Sequence, residues 1–169
     1  MIIIVTGLPG TGKSTFSEAL AQVLGCRRLN TDIIRTELGK RGQYDPETKA
    51  LIYQELFRQA KYILRRHQSV IVDGTFYLKS LRQSFRQLAG DCQAPLYWIE
   101  LRASEETIRR RIDHVRPDSE ATFPVYLRIR EQYEPMDEPR LSIWSDAFPI
   151  DQMVDIAVRY LNSYVPETE

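Results

Sequence analysis

The stretch Gly7-Leu8-Pro9-Gly10-Thr11-Gly12-Lys13-Ser14 constrains this chain more than any other. It follows the apolar run Ile2-Ile3-Ile4-Val5 and precedes a segment, Phe16 to Leu24, with helical spacing. Glycines at these positions let backbone N–H groups turn inward around polyphosphate oxygens, and the following helix adds its positive N-terminal end. Lys13 reaches the β- and γ-phosphates, and the Ser14 hydroxyl is placed to ligate Mg²⁺. The expected nucleotide-binding set is Gly7, Pro9, Gly10, Thr11, Gly12, Lys13, Ser14 and Thr15. Strand, phosphate loop and helix in that order hold a nucleoside triphosphate.

Size and charge narrow the use to which that nucleotide can be put. A chain of 169 residues reads as one domain, 1–169, able to bury about 70% of its unfolded surface. With 23 basic and 23 acidic residues it has no net field to draw it to nucleic acid or an anionic membrane. Most of the basic residues are arginine, which suits phosphate recognition by fork geometry. Cys26 and Cys92 lack metal-like spacing and are expected as buried free thiols. Residues 1–6 show no basic leader, and Ile2 to Val5 is too short to span a bilayer. The expectation is a cytosolic enzyme, monomeric or weakly dimeric, with no membrane partner.

Periodicity supplies the framework. Residues 2–6, 26–31, 70–73, 95–101 and 141–144 read as strands, the apolar ones without alternation, as in a buried parallel sheet. Helices are expected at Lys13 to Leu24, burying Phe16, Leu20, Val23 and Leu24, and at Ile33 to Leu38. A long helix should begin at Pro46 behind an Asp45 cap and bury Leu51, Ile52, Leu56, Ala60, Ile63 and Leu64. Others carry Leu78, Leu81, Phe85 and Leu88 up to Gly90, then Ser104 onward, Pro124 to Gln132, and Ile150 to Leu161. His67 falls where a helix ends and reads as solvated. Tyr97 and Trp98 read as core.

Strands alternating with helices imply an α/β fold with a parallel sheet covered on both faces. In such sheets the ligand lies beyond the carboxyl ends of the strands. That rule gathers the phosphate loop, Asp32, Asp73, Arg102 and Asp146 along one edge. Asp73 ends Val70-Ile71-Val72 and either holds Mg²⁺ in the Walker-B manner or is a solvent-facing strand end. Asp32 either caps the next helix or accepts the proton of an attacking hydroxyl. Arg35, one helical turn on, pairs with Asp32, holds an anionic substrate or is an ordinary surface arginine. Arg109, Arg110, Arg111 and Arg116 are either a solvated face or a helical lid, about residues 110–122, that covers the phosphates. Arg111 and Arg116 are the expected lid pair. Arg35, Arg41, Tyr44 and Tyr77 would wall the acceptor pocket.

Gly7 to Ser14, Thr31-Asp32-Ile33-Ile34-Arg35, Val70-Ile71-Val72-Asp73-Gly74-Thr75 and the arginine-rich segment together resemble the P-loop kinases that include polynucleotide 5′-hydroxyl kinases, zeta toxins and chloramphenicol phosphotransferase. The likeness extends through Tyr133-Glu134-Pro135-Met136-Asp137-Glu138. It implies three layers, strand order 2-3-1-4-5, ATP with Mg²⁺ held by Ser14 and Asp73, and Asp32 as base. It further implies Arg35 as a substrate contact and lid arginines on the phosphates. One departure stands: Val115 occupies the place of an arginine expected four residues after Arg111, with Arg116 beside it.

The reaction so implied is transfer of the γ-phosphate of ATP to a hydroxyl, with a small-molecule acceptor preferred to a polynucleotide 5′ end. A guanine-reading Asn-Lys-x-Asp and an Asp-x-x-Gly switch are both missing, which argues against a GTPase. A regulatory module that binds ATP and transfers nothing is the alternative without chemistry; Asp32 and Arg35 speak against it, since binding alone needs neither.

Overall fold

The computed structural model of the chain describes residues 1–43, 45–112 and 122–163. Strands β1 (Ile2–Thr6), β2 (Arg27–Asn30), β3 (Val70–Asp73), β4 (Leu96–Arg102) and β5 (Leu141–Trp144) form one parallel sheet in the order β2-β3-β1-β4-β5. Between and after them run α1 (Lys13–Leu24), α2 (Thr31–Glu37), α3 (Pro46–Leu64), α4 (Lys79–Asp91), α5 (Glu105–Ile112), α6 (Phe123–Glu131) and α7 (Ile150–Ser163). The fold class and strand order are those the resemblance implied.

The central strand shows why the layers form. Ile2, Ile3, Ile4 and Val5 are all fully buried, and side chains on a strand alternate between faces. Ile2 and Ile4 enter a core with Leu29, Ile34, Ile52, Leu56, Phe76, Phe85 and Trp98, under α2, α3 and α4. Ile3 and Val5 enter another with Phe16, Leu20, Ile99, Ile143, Val154 and Ala157, under α1 and α7. Each such side chain is worth about 1.5–3 kcal/mol of burial, so neither face can be left bare.

Several boundaries differ from expectation, each for a local reason. β2 stops at Asn30 rather than Thr31, because the Asn30 side chain accepts from the backbone N–H of Asp32 and Ile33 and starts α2 there. Val23 is 63% exposed and Leu51 42% exposed. The buried stripe of α1 turns instead through Phe16, Ser17 and Leu20, and that of α3 through Thr48, Ile52, Leu56 and Ala60. Gly90 does not end α4, which closes at Cys92 before the left-handed Gln93. Cys26 and Cys92 are free thiols but only half-buried. His67 is exposed in a left-handed turn after α3, and Tyr97 and Trp98 are core. No described helix is long and apolar enough to cross a membrane.

Candidate active site

The phosphate loop leaves β1 through Gly7 at φ 141 and turns through Gly10 at φ 82 into Gly12, the left-handed N-cap of α1. Gly7 has no room for a side chain, since a Cβ would lie 2.3 Å from the Leu101 carbonyl oxygen. No side chain caps α1, so the amides of Lys13, Ser14 and Thr15 begin the helix without a side-chain acceptor, with positive dipole end toward the loop. Thr11, 2% exposed, donates its hydroxyl to the Leu8 carbonyl at 2.8 Å and stiffens the turn. Pro9 and Gly7 are buried, while Ser14 and Thr15 face outward. The Lys13 ammonium donates to the Leu8 carbonyl at 3.0 Å. Burial holds its pKa below the ordinary lysine value, and Asp73 and then Asp32 act in the opposite direction. Both carboxylates are thus near enough to stabilise its charge.

Asp73 is 1% exposed, which removes the reading of a solvent-facing strand end. Its Oδ2 accepts from Asn30 Nδ2 at 2.7 Å, Ser17 Oγ at 3.0 Å and Arg28 Nη1 at 3.1 Å. Asn30 lies directly across from it in the β2–β3 register, and Arg28, two residues earlier, shares the same face. Oδ1 is buried with no hydrogen-bond partner. With Oδ2 taken up by three donors, Oδ1 is left for a further donor or a cation, and the Lys13 ammonium is close enough to interact with the carboxylate. Ser14, exposed at the start of α1, carries the hydroxyl that the loop pattern pairs with such a carboxylate. This donor set fits Mg²⁺, which takes few protein oxygens and keeps its remaining positions for water and phosphate. No group of three or more His, Cys, Asp or Glu that could cage a metal occurs among the described residues.

Asp32 lies in the first turn of α2 and is half-buried. Asn30 does the capping, so of the two readings of Asp32 the helix cap falls away. Arg35 is 6% exposed and donates Nη1 to the Gln43 carbonyl, so it is not a surface arginine. Burial raises the pKa of the Tyr53 phenol on α3, with Tyr77 adding to the shift; Arg35 opposes it and Asp32 adds to it. Asp32, Arg35, Tyr53 and Tyr77 therefore share one electrostatic neighbourhood beside Lys13. Tyr44 lies outside the described residues, and Arg41 is exposed.

Of the expected lid pair, Arg111 of α5 lies against the phosphate loop. Its Nη1 donates to Ser145 Oγ at 2.8 Å and to the Gly10 carbonyl at 3.4 Å, and its Nη2 to the Ser145 carbonyl at 3.0 Å. Arg116 and residues 113–121, most of the expected lid, lie outside the described residues. Arg109 is exposed and stacks on Phe123 at 3.8 Å. Arg102 covers Trp144 at 5.0 Å, and Asp146 accepts from the backbone and hydroxyl of Ser104 ahead of α5. Those two edge residues serve local structure.

Sequence reasoning missed a cluster where α4 meets the segment 133–138. Arg82 of α4 is fully buried. Its guanidinium donates to the carbonyls of Phe76 at 2.8 Å, Pro135 at 2.7 Å and Glu134 at 3.3 Å. Its Nε stands 3.2 Å from Glu138 Oε2, which also lies in the interior. Phe76 has φ 47, a left-handed conformation unusual for so large a residue. Its ring is wedged among Tyr53, Phe85 and Trp98, and Arg82 holds its carbonyl. The segment is further tied by Glu134 N–H to the Tyr77 carbonyl at 2.9 Å and by the Tyr133 and Thr6 hydroxyls at 3.3 Å. The available signal was a charged residue in phase with Leu78, Phe85 and Ala89 on an apolar helix face.

Comparison with known proteins agrees with this architecture. The AAA domain family AAA_33 matches residues 2–136. An uncharacterised protein of Mycobacterium tuberculosis is 30% identical over 123 residues, covering 66% of this chain and 25% of that protein. An L-seryl-tRNA(Sec) kinase of Methanococcus maripaludis is 31% identical over 144 residues, covering 82% of this chain and 53% of the kinase. The chain spans a quarter of the length of the first and about half that of the second. The structure of the Mycobacterium tuberculosis APS kinase in complex with AMPPNP and APS has a TM-score of 0.73 at 19% identity, covering 96% of this chain and 97% of that one, a likeness of fold. The chain belongs to the AAA domain family and has the fold of the small P-loop kinases.

Proposed function

We propose that this chain transfers the γ-phosphoryl group of ATP to a hydroxyl of a small-molecule acceptor. The observation that carries the reading is Asp32: a half-buried carboxylate that is not a helix cap, near enough to act on Lys13 and grouped with buried Arg35 and half-buried Tyr53. A site built only to hold nucleotide has no use for that group.

The phosphate-loop amides and Lys13 bind the β- and γ-phosphates. Asp32 takes the proton of the acceptor hydroxyl as its oxygen bonds to γ-phosphorus, and the bond from γ-phosphorus to the β,γ-bridging oxygen breaks to release ADP. Lys13 and Arg111 stabilise the charge that moves onto the leaving oxygen. Arg116 would share that role. Mg²⁺, when bound, would be held by Ser14 and Asp73 and would neutralise phosphate charge. Arg28, Asn30 and Ser17 fix the Asp73 carboxylate so that Oδ1 stays available. We place the reaction in the cytosol.

The test is a screen of γ-labelled ATP against a panel of metabolite alcohols and against 5′-hydroxyl oligonucleotides. Label in a small alcohol, dependent on Asp32, supports the reading. Salt-sensitive label in the oligonucleotide alone makes the chain a polynucleotide kinase. ATP binding with no acceptor-dependent ADP makes it a non-transferring module.

A further inference from the structure

Asn30 is the last residue of β2, 5% exposed, and stands opposite Asp73 at the end of β3. Both ends of its side-chain amide are used. Nδ2 donates to Asp73 Oδ2 at 2.7 Å, while Oδ1 accepts from the backbone N–H of Asp32 at 2.7 Å and of Ile33 at 3.1 Å. Turned the other way, the amide would set its NH₂ group against two N–H donors and its oxygen against a carboxylate. One orientation alone satisfies every partner.

As a helix cap alone, Ser, Thr or Asp would serve as well. Of these residues only asparagine carries a donor and an acceptor on two atoms of one rigid plane. The donor end goes to Asp73 Oδ2, although Ser17 Oγ at 3.0 Å and Arg28 Nη1 at 3.1 Å reach the same oxygen. Arg28 Nη1 also reaches the Ser14 carbonyl at 3.1 Å. The carboxylate is thus tied to the start of α1 on one side and, through Asn30, to the start of α2 on the other. α2 has seven residues and carries Asp32 in its first turn and Arg35 in its last. A helix this short gains little from its own hydrogen bonds, so its first turn stands where the cap holds it.

We propose that Asn30 is a positioning residue whose single amide fixes Asp73, the carboxylate placed to hold Mg²⁺, relative to Asp32, the base. The proposal rests on the phosphotransfer reading for the role of Asp32. A restraint on the Asp73 carboxylate then reaches the first turn of α2 through one side chain, and Asp32 is set when the nucleotide side of the site is filled.

Two variants separate the two ends of the amide. Asn30→Ser keeps a capping oxygen and gives up the donor to Asp73; Asn30→Ala gives up both. AMPPNP affinity without metal, by calorimetry, reports that each is folded. The gain in AMPPNP affinity on adding Mg²⁺ should fall by about tenfold in both, the usual effect of losing a hydrogen bond to a charged group. In the free protein, hydrogen exchange at the Asp32 and Ile33 amides should be about 2–30-fold faster in Asn30→Ala than in Asn30→Ser, the usual effect of a lost cap. Adding Mg²⁺ to the AMPPNP complex should slow those two amides further in the wild type and leave them unmoved in Asn30→Ser. With an acceptor found in the screen, single-turnover transfer at saturating ATP and Mg²⁺ should be slower in Asn30→Ala than in Asn30→Ser by a similar factor. Where Asn30→Ala does not fold, Asn30→Ser alone decides through the Mg²⁺ gain and the two amides.

An undiminished Mg²⁺ gain in Asn30→Ser, or slowing of the two amides by Mg²⁺ that persists in it, overturns the tie. So does equal transfer by the two folded variants at saturation. Binding and exchange as expected, with no alcohol or oligonucleotide phosphorylated by the wild type, leave Asn30 linking Asp73 to Asp32 and remove the phosphotransfer reading instead.

Discussion

Replacing Arg82 with methionine tests how Phe76 and the segment 134–138 are held in place. Methionine keeps much of the packing and removes the guanidinium. Three backbone carbonyls, of Phe76, Glu134 and Pro135, then lose a charged donor. Glu138 loses one ion-pair partner but keeps Arg86, whose Nη2 stands 2.5 Å from Oε1. The Arg82 Nε and Glu138 Oε2 atoms are close without being aligned for a hydrogen bond, so their attraction is chiefly electrostatic. Breaking one side of a buried pair costs about 3–5 kcal/mol, and the surviving Arg86 contact places this case near the lower end, at about 3–4 kcal/mol. That is a large part of a typical total of about 5–15 kcal/mol. At about 2–4 °C per kcal/mol, Tm should fall by roughly 6–16 °C. Urea denaturation gives the free energy, and calorimetry the midpoint. The double variant Arg82→Met/Glu138→Met should lose less than the single one, because the buried carboxylate left with one cation instead of two is removed as well. A single variant within about 1 kcal/mol of wild type, at unchanged m-value, would refute the reasoning.

Lys13→Met should stabilise the nucleotide-free protein at neutral pH while removing ATP-induced stabilisation. The folded pKa lies below 10.5, so the charged form carries a folding cost that disappears as pH rises from that depressed value toward 10.5. The stability gap between variant and wild type should therefore narrow across that window in urea titrations, and wild-type ATP affinity should fall over the same range. Gly7→Ala should destabilise by about 2–6 kcal/mol, the sum of positive-φ strain and a backbone clash, measured by the same denaturation. The Asp45 and Asp146 carboxyls are held below 3.8, each chiefly by a backbone N–H, of Thr48 and Ser104 respectively. The stability they add is present above 3.8 and is lost as pH falls through their folded pKa values, so hydrogen exchange at those two amides should accelerate there first.

The parts of the fold that were legible from sequence are those where one local rule acts alone. The glycine spacing of the phosphate loop, the fully buried β1 run and the Asp45-Pro46 start of α3 each come from backbone chemistry within a few residues. The misreadings come where two rules compete. Thr31 is β-branched and extends the strand pattern, but the Asn30 side chain captures two amides and starts the helix earlier. Val23 and Leu51 have the right hydrophobicity and lie off the stripe that meets a neighbour. In the candidate site, the place of Asp73 was legible because it ends an apolar strand. Arg28, Ser17 and Asn30, which orient it, come from two other elements and meet only in the folded sheet. Arg82 was hidden because a charge on an amphipathic helix is ordinarily solvated, whereas here its partners arrive from Phe76 and from residues 134–138.

The most direct test of the central claim is single-turnover transfer from γ-labelled ATP by the wild type and by Asp32→Asn, with an acceptor found in the screen. If Asp32 takes the hydroxyl proton, the variant should bind ATP with wild-type affinity while transfer slows by about 10²–10⁴-fold. Transfer at the wild-type rate in Asp32→Asn, or a variant that turns over normally once ATP is bound and fails only in binding it, would contradict the account.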